Sequence, residues 1–489
     1  MYLTLLLGLL SFVLCFIFTP MCREIALRYN LVDKPDEARK FHAVAVPRVG
    51  GLAIVLAYAA ALGLMLLIPV SNEQLHIQHH ALLRVLLPPA TLIFLLGLLD
   101  DLVTLSALQK LAGQIFACIT AAVLGHLYAP ESFVFGAPHS LLANPLVSIA
   151  ICTAWLVLCT NAINLIDGMD GLASGIGLVG TIATLMVGLY THNQGLVVAT
   201  VPLAGALCAF LFYNFNPASI FLGDCGSLTI GFMLGAISLT WQHHGGGMTL
   251  GMLAPIMVLA LPLLDVALAI GRRFLRSVPL FSPDRGHIHH MIQARGHKTK
   301  AAALIMYGAC AVAAVFSVVA SIFPRTFRIS GYLLLTVLLI SAVRYLDYVE
   351  FRALRRVFSS GRMRGQVRDE IYLRELEIAF GKVEDAEGCW ELVQQTCGDL
   401  RFATVELYLH GLYFDAVLDD KASERDWWMT VPVGDRGYLR VSRSNLLHTD
   451  SRIMPSLDQL RRSLDKWEQH LSMGKELERG RELERSMAA

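Results

Sequence analysis

A chain of 489 residues that is 55% hydrophobic and only 16% charged, with a mean hydropathy of +0.55, is too apolar for an ordinary soluble protein and reads as a polytopic membrane protein. Its formal net charge of +1 excludes the strong basic field that nucleic-acid binding relies on, so no nucleic acid is expected as a partner. The ten cysteines contain no Cys-x-x-Cys pair and lie mostly in apolar runs, where they act as small hydrophobes; neither disulfides nor a cysteine metal site is expected.

In chain order, roughly 20 residues per span predict helices near 1–20, 49–70, 81–99, 109–128, 145–163, 172–190, 196–213, 227–241, 249–270, 301–323 and 329–348, about eleven in all. The first run has neither the basic start nor the cleavage site of a signal peptide and is expected to be a retained span. Basic residues set the orientation. The loop after span one carries Arg23, Arg28, Lys34, Arg39, Lys40 and Arg48, and the loop after span nine carries Arg272, Arg273, Arg276, Arg285, Arg295, Lys298 and Lys300. The even-numbered loops at 71–80, 129–144, 191–195 and 242–248 hold no Lys or Arg; only the turn with Arg325 and Arg328 breaks the pattern. The N-terminus is therefore expected outside and everything after Tyr348 inside. Residues 349–489 are more charged and read as a small cytoplasmic α+β domain of a GAF-like kind. Its expected elements are a helical stretch from Asp369 to Cys397, strands at 404–410, 427–431 and 437–442, and a closing amphipathic helix at 457–480.

Four polar constellations then fall on the cytoplasmic side. Asp100 and Asp101 end span three, and Lys110 opens span four; paired aspartates beside a bilayer call for a cation, or else face water. Asn161, Asn164, Asp167 and Asp170 recur every third residue along Asn161-Ala-Ile-Asn-Leu-Ile-Asp-Gly-Met-Asp-Gly171, which turns them toward nearly one side of a helix. Asp224 lies between glycines just before span eight. For these last two, helix capping competes with ligand binding. His287, His289 and His290 lie in the basic loop, where imidazoles among arginines suit phosphate better than zinc. The outward His79, His80, His243 and His244 read as solvated turns.

In this combination and order, the chain resembles the polyprenyl-phosphate N-acetylhexosamine-1-phosphate transferases, glycosyltransferase family 4, over roughly residues 1–348. The carriers are Asp100-Asp101, the Asn-x-x-Asn-x-x-Asp-Gly-x-Asp-Gly-Leu run and the His-bearing loop. Lys34-Pro35, Arg39-Lys-Phe-His42, Pro47-Arg-Val-Gly-Gly51 and the His-x-His-His form are closer to the undecaprenyl-phosphate GlcNAc-1-phosphate branch than to the UDP-MurNAc-pentapeptide branch. An ion-coupled transporter is the alternative of another class, and acids gathered at one face instead of the midplane speak against it. The resemblance implies transfer of a sugar 1-phosphate from a UDP-N-acetylhexosamine to undecaprenyl phosphate, releasing UMP, at the cytoplasmic face of a bacterial inner membrane. UDP-GlcNAc is preferred as donor, with UDP-FucNAc and UDP-QuiNAc open. It also implies Mg²⁺, with Mn²⁺ as the substitute, held by Asn164 and Asp224. Asp100 and Asp101 would act at the lipid phosphate, Lys110, His287, His289 and His290 on phosphate oxygens, and Asp167 and Asp170 at the nucleotide. A homodimer and a cytoplasmic partner of the C-terminal domain stay open.

Overall fold

The computed structural model describes residues 2–33, 46–67, 73–128, 144–239, 253–276, 279, 286–322, 325–346, 364–383, 385–409, 411–419, 427–434, 437–443 and 453–467. The stretches Lys34 to His42, His243 to Gly247 and Pro283 to Arg285 lie outside the described residues. The chain forms two compact units, Met1–Gly271 with Pro279–Leu346, and Arg272–Val278 with Asp347–Ala489.

The first unit is helical apart from a two-stranded ribbon. Its elements are α1 (Tyr2–Arg28), β1 (Val32–Asp33), β2 (Val46–Pro47), α2 (Gly50–Leu67), α3 (Glu73–Val103), α4 (Ala107–Tyr128), α5 (Pro145–Ile166), α6 (Leu172–Tyr190), α7 (Gln194–Asn214), α8 (Gly223–Leu239), α9 (Leu253–Val258), α10 (Ala260–Arg276, which belongs to this unit as far as Gly271), α11 (Ile288–Ala294), α12 (Thr299–Ile322) and α13 (Arg325–Leu346). Among the described residues eight helices are long and apolar enough to cross a membrane, and Gly50–Met65 and Gly223–Leu239 are shorter apolar helices. This is a multi-pass membrane protein. Large apolar side chains such as Leu5, Leu9, Phe212 and Leu333 are at least 60% exposed, as expected where the solvent is lipid. Each expected span overlaps a helix, but eight and not eleven of these helices qualify as spans among the described residues; the ninth is split into α9 and α10 at Leu259, and α3 begins at Glu73, so His79 and His80 are helical and not in a turn.

The unit is built around α8, which is buried from Cys225 to Leu239 and packs against α2, α3 and α5. Between lipid-embedded helices, small residues let backbones approach closely. Gly97 of α3 is such a position: a Cβ there would lie 2.5 Å from the Asp224 carbonyl oxygen and 2.6 Å from the Cys225 Cα. The contact sets the end of α3 directly against the start of α8. Farther along, Trp155 of α5 donates its indole N–H to Gly235 O at 3.2 Å and Ser238 Oγ at 3.0 Å, tying α5 to α8.

The second unit contains α14 (Arg364–Phe380), α15 (Ala386–Asp399), β3 (Thr404–Leu409), β4 (Leu412–Val417), β5 (Trp427–Val433) and β6 (Gly437–Arg443), with a further helix over 453–467. Strand order in the antiparallel sheet is β4-β3-β6-β5. Alternate residues Val405, Leu407, Leu439 and Val441 are buried against Phe380, Val393, Leu460 and Leu464, the half-buried pattern expected when helices cover one face of a sheet. The expected single helix from Asp369 to Cys397 is two helices, because Asp385 caps the second by accepting from Gly388 N at 2.9 Å. Strand β4 is an addition to the expected strands: Phe414 and Ala416 pack on the core, but the apolar Leu412, Tyr413 and Val417 are exposed, so apolar and polar residues do not alternate along its sequence.

Candidate active site

Asp100 and Asp101 stand at the end of α3, which is broken by Thr104 at a φ of 53°. Ser106 and Gln109 then begin α4 as a reciprocal cap: Ser106 Oγ accepts from Gln109 N at 3.4 Å and Gln109 Oε1 accepts from Ser106 N at 3.0 Å, the Ser-x-x-Gln box. The turn brings Lys110 back over the aspartates. Its ammonium lies 3.0 Å from Asp100 Oδ2 and 3.4 Å from Asn164 Oδ1, and it pairs with Asp224 Oδ2. Asn164, one turn from the end of α5, donates to Asp224 Oδ1 at 2.8 Å and Ser227 Oγ at 2.9 Å. Asp100 spends its other oxygen on Leu105 N at 2.6 Å. Four residues singled out in the sequence, from the ends of four helices, thus meet at one point.

The neighbouring carboxylates have different tasks. Asp101 accepts from Asp224 N at 2.8 Å and Cys225 N at 2.9 Å, which caps the first turn of α8 with negative charge and positions Asp224. Both of its oxygens are thereby engaged by backbone. Asp167 ends α5 as its C-cap. Its burial, then the Asp224 and Asp101 charges, push its carboxyl well above the usual range, with the Arg48 charge opposing them. Asp170 accepts from Asn216 Nδ2 at 2.9 Å and Ala218 N at 3.0 Å, lacing its loop to the 214–220 turn. Asn161 points elsewhere, donating to Gln114 Oε1 at 2.6 Å and Val157 O at 2.9 Å.

The histidines sit at the start of α11. His287 Nδ1 is 2.8 Å from Asp265 Oδ2. The His289 ring lies parallel to His287 at 5.8 Å and 4.1 Å from the His290 ring. It packs on the Asp-rich loop: a Cβ on Gly168 would come 2.6 Å from His289 Nε2. His289 is 1% exposed, so it is walled in by protein and does not face open solvent. We expect Gly168→Ala to destabilise the protein by about 1–3 kcal/mol, the usual cost of overpacking. In a His289→Ala background that cost should largely vanish, and equal melting shifts in both backgrounds would refute the contact.

Burial, with the His290 and His287 charges, holds the His289 imidazole at about 3 instead of its ordinary 6.5. Between these values the unfolded chain binds a proton that the folded chain does not, so this ring's contribution to stability is lost progressively as pH falls from 6.5 toward 3. Thermal melts between pH 7.5 and 5 should show that acid loss in the wild type and a smaller one in His289→Gln.

Four contributors lie outside the residues singled out in the sequence: Gln114, Ser227, Asp265 and Tyr307, whose hydroxyl donates to Gly171 O at 2.6 Å. Asp265 carries a readable signal, a lone acid in an apolar run. Ser227 and Tyr307 carry none, since hydroxyls are common in such helices.

The donor set can be tested against a divalent cation. Among the described residues no three His, Cys, Asp or Glu side chains form a ready metal cage. What converges is two carboxylates, Asp100 and Asp224, with the Asn164 amide oxygen. Hard oxygen donors too few to enclose an ion fit Mg²⁺, which takes one or two carboxylates and completes its shell with water and substrate phosphates.

Comparison with known proteins identifies the family and several relatives. The family described as glycosyl transferase family 4 matches residues 83–242, a range holding Asp100, Asp101, Lys110, Asn164, Asp167, Asp170 and Asp224. A decaprenyl-phosphate N-acetylglucosaminephosphotransferase of Mycolicibacterium smegmatis is 34% identical over 320 residues, covering 62% of this chain and 78% of the relative. A probable undecaprenyl-phosphate N-acetylglucosaminyl 1-phosphate transferase of Bacillus subtilis is 33% identical over 308 residues, covering 61% and 80%. The undecaprenyl-phosphate alpha-N-acetylglucosaminyl 1-phosphate transferase of Escherichia coli K12 is 28% identical over 314 residues, covering 62% and 82%.

Proposed function

The chain belongs to glycosyl transferase family 4, and from that premise we propose that it transfers N-acetylglucosamine 1-phosphate from UDP-GlcNAc to undecaprenyl phosphate, releasing UMP and leaving a lipid-linked pyrophosphoryl sugar. The observation that carries this reading is the meeting of Asp100, Lys110, Asn164 and Asp224 at helix ends. It offers one ammonium and convergent oxygens where four apolar helices end or begin. The reaction joins two anions, so the protein's main task is to neutralise and align them.

In this reading Asp224, Asn164 and Asp100 hold Mg²⁺, which when bound supplies charge neutralisation for the donor pyrophosphate. Lys110, whose ammonium lies at the same three groups, would engage phosphate oxygens beside the cation. Asp101 acts through Asp224, by fixing the first turn of α8. A phosphate monoester has a second pKa near about 6, so at neutral pH most of the acceptor is already dianionic and no general base is required; Asp100 would act on it only through the cation it helps to hold. Asp167 and Asp170 shape the nucleotide side, the latter by holding its loop. Basic-residue placement supports a cytoplasmic site with the N-terminus outside. For the second unit, we propose a regulatory or partner-docking role on the cytoplasmic side.

The decisive assay uses purified protein with undecaprenyl phosphate and a panel of UDP-sugars, following UMP release with and without Mg²⁺. Release confined to UDP-GlcNAc and abolished by chelation is expected. No release from any UDP-N-acetylhexosamine would end the reading. Labelled UMP exchanging into UDP-GlcNAc without lipid acceptor would replace direct displacement by a covalent phosphoryl-enzyme route.

A further inference from the structure

One buried acid beside the histidines has no part in the assignments above. Asp265 is 1% exposed on α10, within the apolar run Leu259-Ala-Leu-Pro-Leu-Leu-Asp-Val-Ala-Leu268. An ionised carboxylate in such surroundings is costly unless its oxygens are satisfied. Both are satisfied by one short segment: Oδ2 lies 2.8 Å from His287 Nδ1, and Oδ1 accepts from Ile288 N at 2.9 Å. The backbone contact fixes where the His287 side chain begins, and the ring contact fixes its rotation. An ionised carboxylate only accepts, so Nδ1 must carry a proton. Nε2 is then the nitrogen left for a ligand.

We infer that Asp265 is the positioning residue of His287, holding the imidazole with its proton on Nδ1 so that Nε2 is presented to the phosphate oxygens of a nucleoside-diphosphate donor. This rests on the phosphotransferase reading of the same site. A phosphate oxygen at Nε2 requires a proton on that nitrogen too, drawn from solvent. The ring then binds as an imidazolium between two anions, with the Asp265 carboxylate balancing the second proton.

Asp265→Asn separates this role from packing. The side chain keeps its shape, but Ile288 N–H can only donate and so takes the amide oxygen. The amide NH₂ then faces Nδ1, which must give up its proton, and the neutral ring moves to the Nε2–H form without a balancing charge.

The test is ¹⁵N-histidine NMR of the full chain in nanodiscs, with His287 assigned by His287→Gln, before and after UDP with Mg²⁺. The wild type should show Nδ1–H with bare Nε2, and protons on both nitrogens once UDP is added. Asp265→Asn should show Nε2–H, and its KM for UDP-GlcNAc should rise about tenfold, as for loss of a charge-assisted hydrogen bond, with kcat within about threefold of wild type. An Nε2–H ring in the wild type overturns the proposal, and that spectrum decides even if the variant does not fold. So does Asp265→Asn with ring signals and KM unchanged. Failure of the underlying reading looks different: the Nδ1–H ring is present, but UDP leaves it unmoved and UDP-sugars are not turned over, which removes the phosphate role and keeps the ring-holding contact.

Discussion

Asp224→Asn is expected to lower kcat/KM at least about a thousandfold, some 4 kcal/mol of transition-state stabilisation, in a protein that still folds and inserts. The two halves of this expectation have separate causes. Asp224 takes part in the capping of α8 only through its backbone N–H, which donates to Asp101; that bond survives the substitution. Its side chain accepts from Asn164 on one oxygen and pairs with Lys110 on the other. An asparagine must turn its NH₂ toward one of these two donors, so one contact becomes donor against donor, and the negative charge is lost whichever way it turns. Lys110 keeps Asp100 as a partner, so no charge is left wholly uncompensated and the melting temperature should move by only a few degrees. UMP release at saturating Mg²⁺, read beside a thermal melt in detergent, checks both halves. Turnover within about threefold of wild type, with the same Mg²⁺ dependence, would remove Asp224 from the metal set.

The legibility of this site in the sequence divides along a physical line. Polar residues at the ends of apolar helices are costly, and that cost makes Asp100, Asp101, Asn164, Asp167, Asp170 and Asp224 stand out in the chain itself. Helix positions follow from span length, because a bilayer imposes one. What each acid does is not legible there, because it depends on distances across helices. Asp101 and Asp170 look like Asp100 and Asp224 in sequence, yet in the fold they spend oxygens on backbone N–H groups of α8 and of the 214–220 turn. Asn161, in register with Asn164, turns to Gln114 on the α4 side. The histidine run reads as three equivalent phosphate contacts, but His287 and His289 are both buried, at 7% and 1% exposure, and what distinguishes His287 is Asp265, 22 residues away in the chain. Strand β4 escapes because an exposed edge strand need not alternate.

Lys110 is where these separate roles can be tested together. Its ammonium touches both carboxylates and the amide that are assigned to the metal, so it and a divalent cation compensate the same negative charge. Lys110→Met removes the resident cation and leaves Asp100 and Asp224 facing each other, with 13% and 28% side-chain exposure respectively. In EDTA the variant should be destabilised by on the order of 2 kcal/mol, since partly screened like charges at such range repel by a few kcal/mol. Millimolar Mg²⁺ should recover most of that, because a ligand bound only by the folded state stabilises it in proportion to the logarithm of its concentration over Kd. The same substitution should tighten Mg²⁺ binding, with a positive neighbour gone, while kcat falls at least about a hundredfold for want of the ammonium on the phosphates. Tighter metal with slower turnover separates a phosphate-binding lysine from one that merely fills the site: a filler, once removed, would leave kcat intact at saturating Mg²⁺. If the melts of Lys110→Met in EDTA and in Mg²⁺ coincide, no divalent cation binds between these carboxylates, and Lys110 is their permanent counter-ion.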